Sequence, residues 1–206
     1  MPLDYTLYLA TDRNLLQGRN LEDTVAIAIR HGVTLVQMRE KSLSSREFYE
    51  AGRRLLQITR RCGVPLIIND RLDLMLALDA DGVHLGRHDL PLPEARRLCP
   101  GKILGYSVNS AADLQYAEQH GADYAGLGPV FPTPTKADTD PALGLAGLAD
   151  LVKKARIPCV AIGGINVTNA AAVTATGVAG ICVISAILSQ PDTAAATWEL
   201  RQALSI

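Results

Sequence analysis

The segment Gln37-Met38-Arg39-Glu40-Lys41 follows an apolar run that has the pattern of a buried strand. Because side chains alternate along a strand, Gln37, Arg39 and Lys41 are predicted to leave it on the same side. An amide and two permanent cations are costly to bury without partners, so an anionic ligand such as a phosphate or diphosphate is expected there. The alternative is a strand end that emerges into solvent, where ion pairs are common and weak.

Two carboxylates follow the next two apolar runs of the sequence. Asp70 comes directly after the run 66–69, and Asp89 lies in the loop after the run 82–85. If neighbouring strands carry them, the two side chains could share Mg²⁺, which takes one or two carboxylates together with water and substrate phosphate. The alternative roles are a helix N-cap for Asp70 and a turn former for Asp89.

A proline-rich segment runs from residue 128 to residue 136 and opens a connection that reaches about residue 144. Its three prolines remove backbone donors and hold the backbone extended, which excludes a helix. Loops of this length in a compact domain usually act as lids or binding loops. Thr133, Thr135 and Lys136 add two hydroxyls and an ammonium that suit an anion, although a mobile linker is the alternative.

Small and polar residues end the last two apolar runs, as Gly163-Gly164 and as Ile184-Ser185. Loops that follow the seventh and eighth strands of a (β/α)8 barrel often bind phosphate. Glycine lets backbone N–H groups approach the phosphate oxygens closely. We therefore expect a phosphate site at Gly163-Gly164 and Ile184-Ser185.

The elements that must position these residues alternate regularly between strand and helix. Apolar runs of strand length occupy residues 6–10, 34–38, 66–68, 82–85, 103–107, 124–127, 159–162 and 180–184, and amphipathic stretches occupy 21–30, 45–61, 111–120, 145–155, 169–176 and 193–204. Ser45 is the expected N-cap of the second helix. The alternation predicts an α/β protein, a (β/α)8 TIM barrel in a single domain spanning residues 1–206. A doubly wound open sheet is the alternative.

Composition and charge restrict the function classes. The 206 residues are 48% hydrophobic and 20% charged, with a formal net charge of −1. No global basic field therefore favours nucleic acid or an anionic membrane surface. The apolar runs are too short to span a bilayer, and no secretory leader pattern opens the sequence, so a cytoplasmic location is expected. A homo-oligomer is compatible with the sequence.

Taken together, these motifs resemble the thiamine-phosphate synthase family over nearly the whole chain. The segments that carry the resemblance are 8–12, 37–41, 68–71, 81–86, 126–136, 161–165 and 184–187. The resemblance implies an enzyme that joins 4-amino-2-methyl-5-hydroxymethylpyrimidine diphosphate to hydroxyethylthiazole phosphate. Thiamine phosphate and pyrophosphate are the products, and Mg²⁺ is the implied cofactor.

The resemblance also implies a role for each candidate residue. The pyrimidine diphosphate would be bound by Gln37, Arg39, Lys41, Asn69, Ser107 and Lys136; Mg²⁺ by Asp70 and Asp89; and the thiazole phosphate by Thr133, Thr135, Gly164, Ile184 and Ser185. Within this set, Arg39, Lys41, Lys136 and Ser107 would be catalytic, and the three cations would stabilise the charge that grows on the departing pyrophosphate. The implied route is dissociative, so no nucleophile or general base is expected.

Two other function classes are compatible with the same fold. A thiazole tautomerase would need the thiazole phosphate site and an acid/base histidine, but neither the carboxylate pair nor the diphosphate site. A sensor without catalytic activity would bind both heterocycles and release no pyrophosphate. Asp70, Asp89, Arg39, Lys41 and Lys136 argue against the tautomerase.

Overall fold

The computed structural model describes residues 3–133 and 140–204, and its parallel strands close into a barrel in which β1 pairs with both β2 and β8. The strands are β1 (Leu7–Ala10), β2 (Leu35–Met38), β3 (Leu66–Asn69), β4 (Gly82–Leu85), β5 (Ile103–Val108), β6 (Tyr124–Leu127), β7 (Cys159–Ile162) and β8 (Gly180–Val183). The predicted (β/α)8 barrel is confirmed, and each predicted strand is present to within about one residue at either end.

Helices follow every strand and cover the outside of the barrel. They are α1 (Leu21–Arg30), α2 (Ser45–Cys62), α3 (Leu72–Leu78), α4 (Leu92–Leu98), α5 (Ala111–Gln119), α6 (Gly144–Lys154), α7 (Ala170–Thr174), α8 (Ser185–Leu188) and α9 (Thr193–Ala203), with a 3-10 turn at Arg13–Leu15 before α1. The helices α3, α4 and α8 were not predicted. Each spans seven residues or fewer, too short for a helical period to stand out from the apolar background.

The N-cap of α2 is Ser44, so the prediction of Ser45 is wrong by one residue. Glu47 N donates to Ser44 Oγ at 3.3 Å, and Ser44 N donates to a carboxylate oxygen of Glu47 at 2.9 Å. This reciprocal capping box needs a Glu or Gln three residues after the cap. Only Ser44 meets that spacing, because residue 48, three positions after Ser45, is phenylalanine.

Two apolar layers hold the barrel together. The larger lies between strands and helices, and the smaller fills the barrel with Tyr5, Tyr8, Ala10, Leu35, Ile67, Tyr124, Val160 and Cys182. Alternation along each strand therefore points every second side chain into the barrel. Among the described helices none is both long and apolar enough to cross a membrane.

Candidate active site

Gln37 lies on β2 with its side chain inside the barrel, near the carboxyl ends of the strands. Its side-chain amide Nε2 donates to the Tyr8 hydroxyl at 2.8 Å, and the residue is only 6% exposed. A buried amide needs partners for both its donor and its acceptor groups. The Tyr8 hydroxyl is the acceptor for one of the N–H groups of this amide.

Arg39 and Lys41 contact different neighbouring loops. Arg39 Nη1 donates to Asp12 Oδ2 at 3.1 Å, after β1, whereas Lys41 Nζ lies 3.4 Å from Asp70 Oδ2, after β3. Strand alternation predicted that Arg39 and Lys41 would leave on the same side, and this prediction is wrong. The strand β2 ends at Met38, and the alternation of side chains ends with it. The two cations therefore lie in the loop after β2, at the end of the barrel where the carboxyl ends of the strands meet, which we call the mouth. They contact different neighbouring loops.

A second ion pair lies beside the pair of Arg39 with Asp12. Arg13 Nε is 3.3 Å from Glu40 Oε1, and the Glu40 side chain is only 3% exposed. By geometry Oε1 has no hydrogen-bond partner among the described residues, so its contact with Arg13 is an ion pair. Burial raises the pKa of Glu40, and Arg13 opposes that rise.

These two ion pairs were missed by sequence reasoning. They join consecutive residues after β1 to consecutive residues after β2, and so they fix the two loops against each other. A usable signal was the charge complementarity of the two loops, because neighbouring parallel strands bring their following loops together. Asp12 therefore contacts Arg39 directly, whereas Glu40 contacts Arg13 and acts only on the position of the two loops.

The two predicted metal ligands are neighbours in space. Asp70 follows β3 with a φ of 63°, and Asp89 accepts a hydrogen bond from Gly86 N at 2.7 Å in the loop after β4. Burial raises the pKa of Asp70; the charge of Asp89 and a side-chain hydrogen bond with it raise this pKa further, while Lys41 lowers it. Two carboxylates in such proximity repel each other unless a proton or a cation lies between them.

The donor set fits Mg²⁺ better than a metal that needs a full protein cage. Over residues 3–133 and 140–204, no group of three or more His, Cys, Asp or Glu side chains is arranged to hold a metal. Two carboxylates leave the remaining octahedral positions to water and to ligand oxygens, as is usual for Mg²⁺ bound with a phosphorylated substrate. Asp70 and Asp89 are thus the residues that would hold this ion.

Ser107 and Asn69 lie on opposite sides of His84 in the strand register. Asn69 pairs with His84 across β3 and β4, and Ser107 Oγ is 3.0 Å from His84 Nε2. The His84 ring lies within the barrel, where Nδ1 is 2.9 Å from the Tyr124 hydroxyl. Ser107 and Asn69 are half-buried, which leaves them accessible at the mouth.

The connection between β6 and α6 is fixed at both of its ends. Leu143 N donates to Pro129 O at 2.9 Å, and Asn109 Nδ2 donates to Gly128 O at 3.1 Å and to Pro141 O at 3.3 Å. Thr133 is half-buried at the end of the described part. Thr135 and Lys136 lie outside the described residues.

Gly164 follows the seventh strand, and Ile184 and Ser185 follow the eighth. Gly164 has a φ of +68°, and a Cβ there would lie 2.7 Å from the Phe131 Cβ, so glycine is needed both for the backbone and for the close approach of the β6 loop. Ile184 precedes α8 and partly packs on the barrel interior. Ser185 is exposed as the first residue of α8.

Comparisons with known proteins all indicate one family. Residues 7–187 match the family model for thiamine monophosphate synthase. The thiamine-phosphate synthase of Syntrophomonas wolfei subsp. wolfei is 53% identical over 200 residues, which cover 97% of this chain and 96% of that relative. The corresponding protein of Chloroflexus aurantiacus is 46% identical over 204 residues, covering 99% of this chain and 94% of its own.

Solved structures give the same result. The thiamine phosphate pyrophosphorylase of Pyrococcus furiosus superposes with a TM-score of 0.90 at 44% identity, covering 98% of this chain and 96% of that one. A 3-hexulose-6-phosphate synthase, with a TM-score of 0.70 at 18% identity, shares the barrel fold alone. With the family model and relatives of this identity extending over almost its full length, the chain belongs to the thiamine monophosphate synthase family.

Proposed function

We propose that this protein is a transferase that forms thiamine phosphate and pyrophosphate from the pyrimidine diphosphate and the thiazole phosphate. The observation that carries the proposal is that Lys41 pairs with Asp70 at 3.4 Å and that Asp70 in turn lies beside the Asp89 carboxylate, after β3 and β4. A cation beside a carboxylate pair suits a diphosphate that is bound together with a divalent metal. A thiazole tautomerase would need neither group.

Arg39 and Lys41 bind the diphosphate in this proposal and stabilise the charge that grows on it. A guanidinium has five N–H donors, and the contact with Asp12 uses one of them, so others can reach phosphate oxygens. The Lys41 side chain is 58% exposed, so its ammonium can bind a phosphate without a large rearrangement. Lys136 would add a third cation, and its role rests on the family resemblance.

Asp70 and Asp89 hold Mg²⁺ in this proposal. When bound, the ion neutralises charge on the diphosphate, which makes pyrophosphate a better leaving group. The carbon–oxygen bond then breaks before the new bond forms, and the aminopyrimidine delocalises the resulting cation. The thiazole nitrogen adds to that carbon through its own lone pair, so the protein supplies orientation and no base.

The thiazole phosphate lies against the ends of β7 and β8 in this proposal. Gly164 and Ser185 would offer backbone N–H groups and a hydroxyl, and the side chain of Ile184 would contact the ring. Thr133 and Thr135 would close the site from the β6 loop. The half-buried Gly164 and the exposed Ser185 support this assignment, because a phosphate needs donors that are accessible from the mouth.

We further propose one domain over residues 1–206, a cytoplasmic location, and small phosphorylated heterocycles as the partners. The roughly even balance of charge supports the absence of a nucleic acid partner.

The proposed function is tested by incubating the protein with both heterocyclic phosphates and Mg²⁺. Mass spectrometry should show thiamine phosphate, and ³¹P NMR should show pyrophosphate in equal amount. Reactions that lack one substrate, or that contain EDTA, are the controls. A folded protein that binds both substrates and forms no thiamine phosphate would refute the synthase assignment.

A further inference from the structure

A continuous line of hydrogen bonds crosses the interior of the barrel. Gln37 Nε2 donates to the Tyr8 hydroxyl at 2.8 Å, the Tyr8 and Tyr124 hydroxyls are 2.9 Å apart, and the Tyr124 hydroxyl is 2.9 Å from His84 Nδ1. His84 Nε2 is then 3.0 Å from Ser107 Oγ. We call these five residues the interior hydrogen-bond chain; its two ends, Gln37 and Ser107, are among the residues that the family resemblance assigns to the pyrimidine diphosphate, and we call the space between them the pyrimidine site.

Two glycines in the neighbouring strands leave space for the rings of this chain. A Cβ at Gly105 would lie 2.2 Å from Tyr124 Cζ and 2.5 Å from His84 Nδ1, and a Cβ at Gly126 would lie 3.1 Å from His84 Cε1. Both glycines sit within strands, where glycine is otherwise unfavourable because it adds no packing. Their position beside the rings makes room for the contact between Tyr124 and His84.

Only the first hydrogen bond has a fixed direction, because the Gln37 NH₂ donates and the Tyr8 hydroxyl accepts. Between the two tyrosines either hydroxyl could donate, and in one of the two directions Tyr8 gives its hydrogen to Tyr124. Tyr124 then gives its hydrogen to His84 Nδ1, which leaves the hydrogen of the neutral ring on Nε2. Burial raises the pKa of Tyr8 and of Tyr124 above the usual phenol value, so both remain protonated donors.

We propose that the interior hydrogen-bond chain runs in this direction, from Gln37 to Ser107, and so sets the donor and acceptor pattern of the pyrimidine site. His84 then donates to Ser107, so the Ser107 hydrogen points to the ligand, while Gln37 Oε1 accepts a hydrogen bond from the ligand. The inference rests on the proposed function and extends it to specificity. A 4-aminopyrimidine matches the pattern, because its exocyclic amine donates and its ring nitrogens accept. Tyr8, Tyr124 and His84 are then positioning residues.

The first test measures the tautomer of His84 without any substrate. Histidine labelled with ¹⁵N is incorporated, and long-range ¹H–¹⁵N correlation spectra are recorded at about pH 8, where an ordinary histidine is neutral. A His84→Gln variant identifies the His84 signals. Native protein should show hydrogen on Nε2, and Tyr124→Phe should move the signals toward the other tautomer. Hydrogen on Nδ1 in the native protein, or a charged ring, would overturn the proposal.

The second test compares two tyrosines that line the same cavity. Tyr124→Phe removes a member of the chain, whereas Tyr5→Phe removes a hydroxyl that takes no part in it, although the Tyr5 ring packs 5.2 Å from that of Tyr124. Tyr124→Phe should raise the KM for the pyrimidine diphosphate about three- to tenfold, the usual effect of one lost hydrogen bond. The KM for the thiazole phosphate should stay unchanged, as should both values in Tyr5→Phe.

Equal changes in both KM values, or the same effect in both variants, would show that the chain only maintains the fold. Failure of the proposed function is distinguishable from either result. In that case no thiamine phosphate forms in the native protein, while the tautomer of His84 is still measured directly.

Discussion

Replacement of Lys41 by alanine separates a role in the reaction from a role in folding. Its only ion pair among the described residues is with Asp70 at 3.4 Å, and its side chain is 58% exposed. Exposed ion pairs contribute about 0.2–1 kcal/mol to stability. Lys41→Ala should therefore lower the free energy of unfolding by no more than about 1 kcal/mol, which for a domain of this size is a Tm shift of about 2–4 °C.

The effect on turnover should be larger, because the diphosphate gains negative charge as the carbon–oxygen bond breaks. The attraction between two opposite unit charges about 4 Å apart is about 1 kcal/mol in water and about 4 kcal/mol near a protein surface. Since Lys41 is more than half exposed, we take about 2 kcal/mol, which corresponds to a roughly 30-fold loss of kcat. The interaction grows in the transition state, so saturating substrate should not restore the rate.

The assay is kcat at saturation in both substrates and Mg²⁺, with thermal unfolding recorded on the same samples. Lys102→Ala is the matched control, since Lys102 also pairs with an aspartate, Asp79, at 2.5 Å, before β5 at the opposite end of the barrel. The control should keep native kcat. An unchanged kcat in Lys41→Ala, or an equal loss in both variants, would refute the assignment of Lys41 to the leaving group.

Four further predictions concern the rest of the site. Asp89→Asn should lower kcat by at least about tenfold and raise the Mg²⁺ concentration needed for half-maximal rate; an unchanged Mg²⁺ dependence would remove Asp89 from the metal site. Ser185→Ala should raise the KM for the thiazole phosphate about fivefold with little change in kcat, measured by steady-state kinetics, because this phosphate does not change charge in the reaction. Gly164→Ala should destabilise the protein by at least about 1 kcal/mol more than Gly101→Ala in urea unfolding, because both glycines have positive φ but only a Cβ at Gly164 meets other atoms. Burial raises the pKa of Glu40 in the folded protein above its value in the unfolded chain, so folding takes up a proton at this residue. The free energy of unfolding of the native protein, relative to that of Glu40→Gln, should therefore rise as pH falls from about 7 to about 5. A difference between the two proteins that does not depend on pH would contradict this.

The barrel was predictable because its elements repeat a simple local signal. Continuous apolar runs mark strands that are buried on both faces, and eight such runs alternate with helical segments in a chain of 206 residues. The helices that escaped prediction are short. In α4, for example, Pro93 lies within the first turn, and the helix ends at Leu98 before a full apolar period accumulates.

Much of the candidate site was also predictable, since its residues share one local property. Gln37, Asn69, Ser107 and Ser185 each lie at or just after the carboxyl end of a strand, and a closed barrel brings those ends to one face. The partners of these residues were not predictable in the same way. Tyr8 and Tyr124 are 116 residues apart, and their contact depends on the register in which the barrel closes.

Glycines inside strands offer a signal for such contacts. Gly105 and Gly126 sit in strands at positions that face the interior, where a missing side chain leaves a gap that close packing must fill from another strand. Here the rings of Tyr124 and His84 fill it. Because buried polar atoms are costly unless paired, the rings that enter such a gap must also satisfy one another's hydrogen bonds, as these two do. An interior glycine on a strand that lies between one carrying Tyr and one carrying His therefore indicates a polar contact over that strand, and in this protein that contact is one part of the line of hydrogen bonds from Gln37 to Ser107.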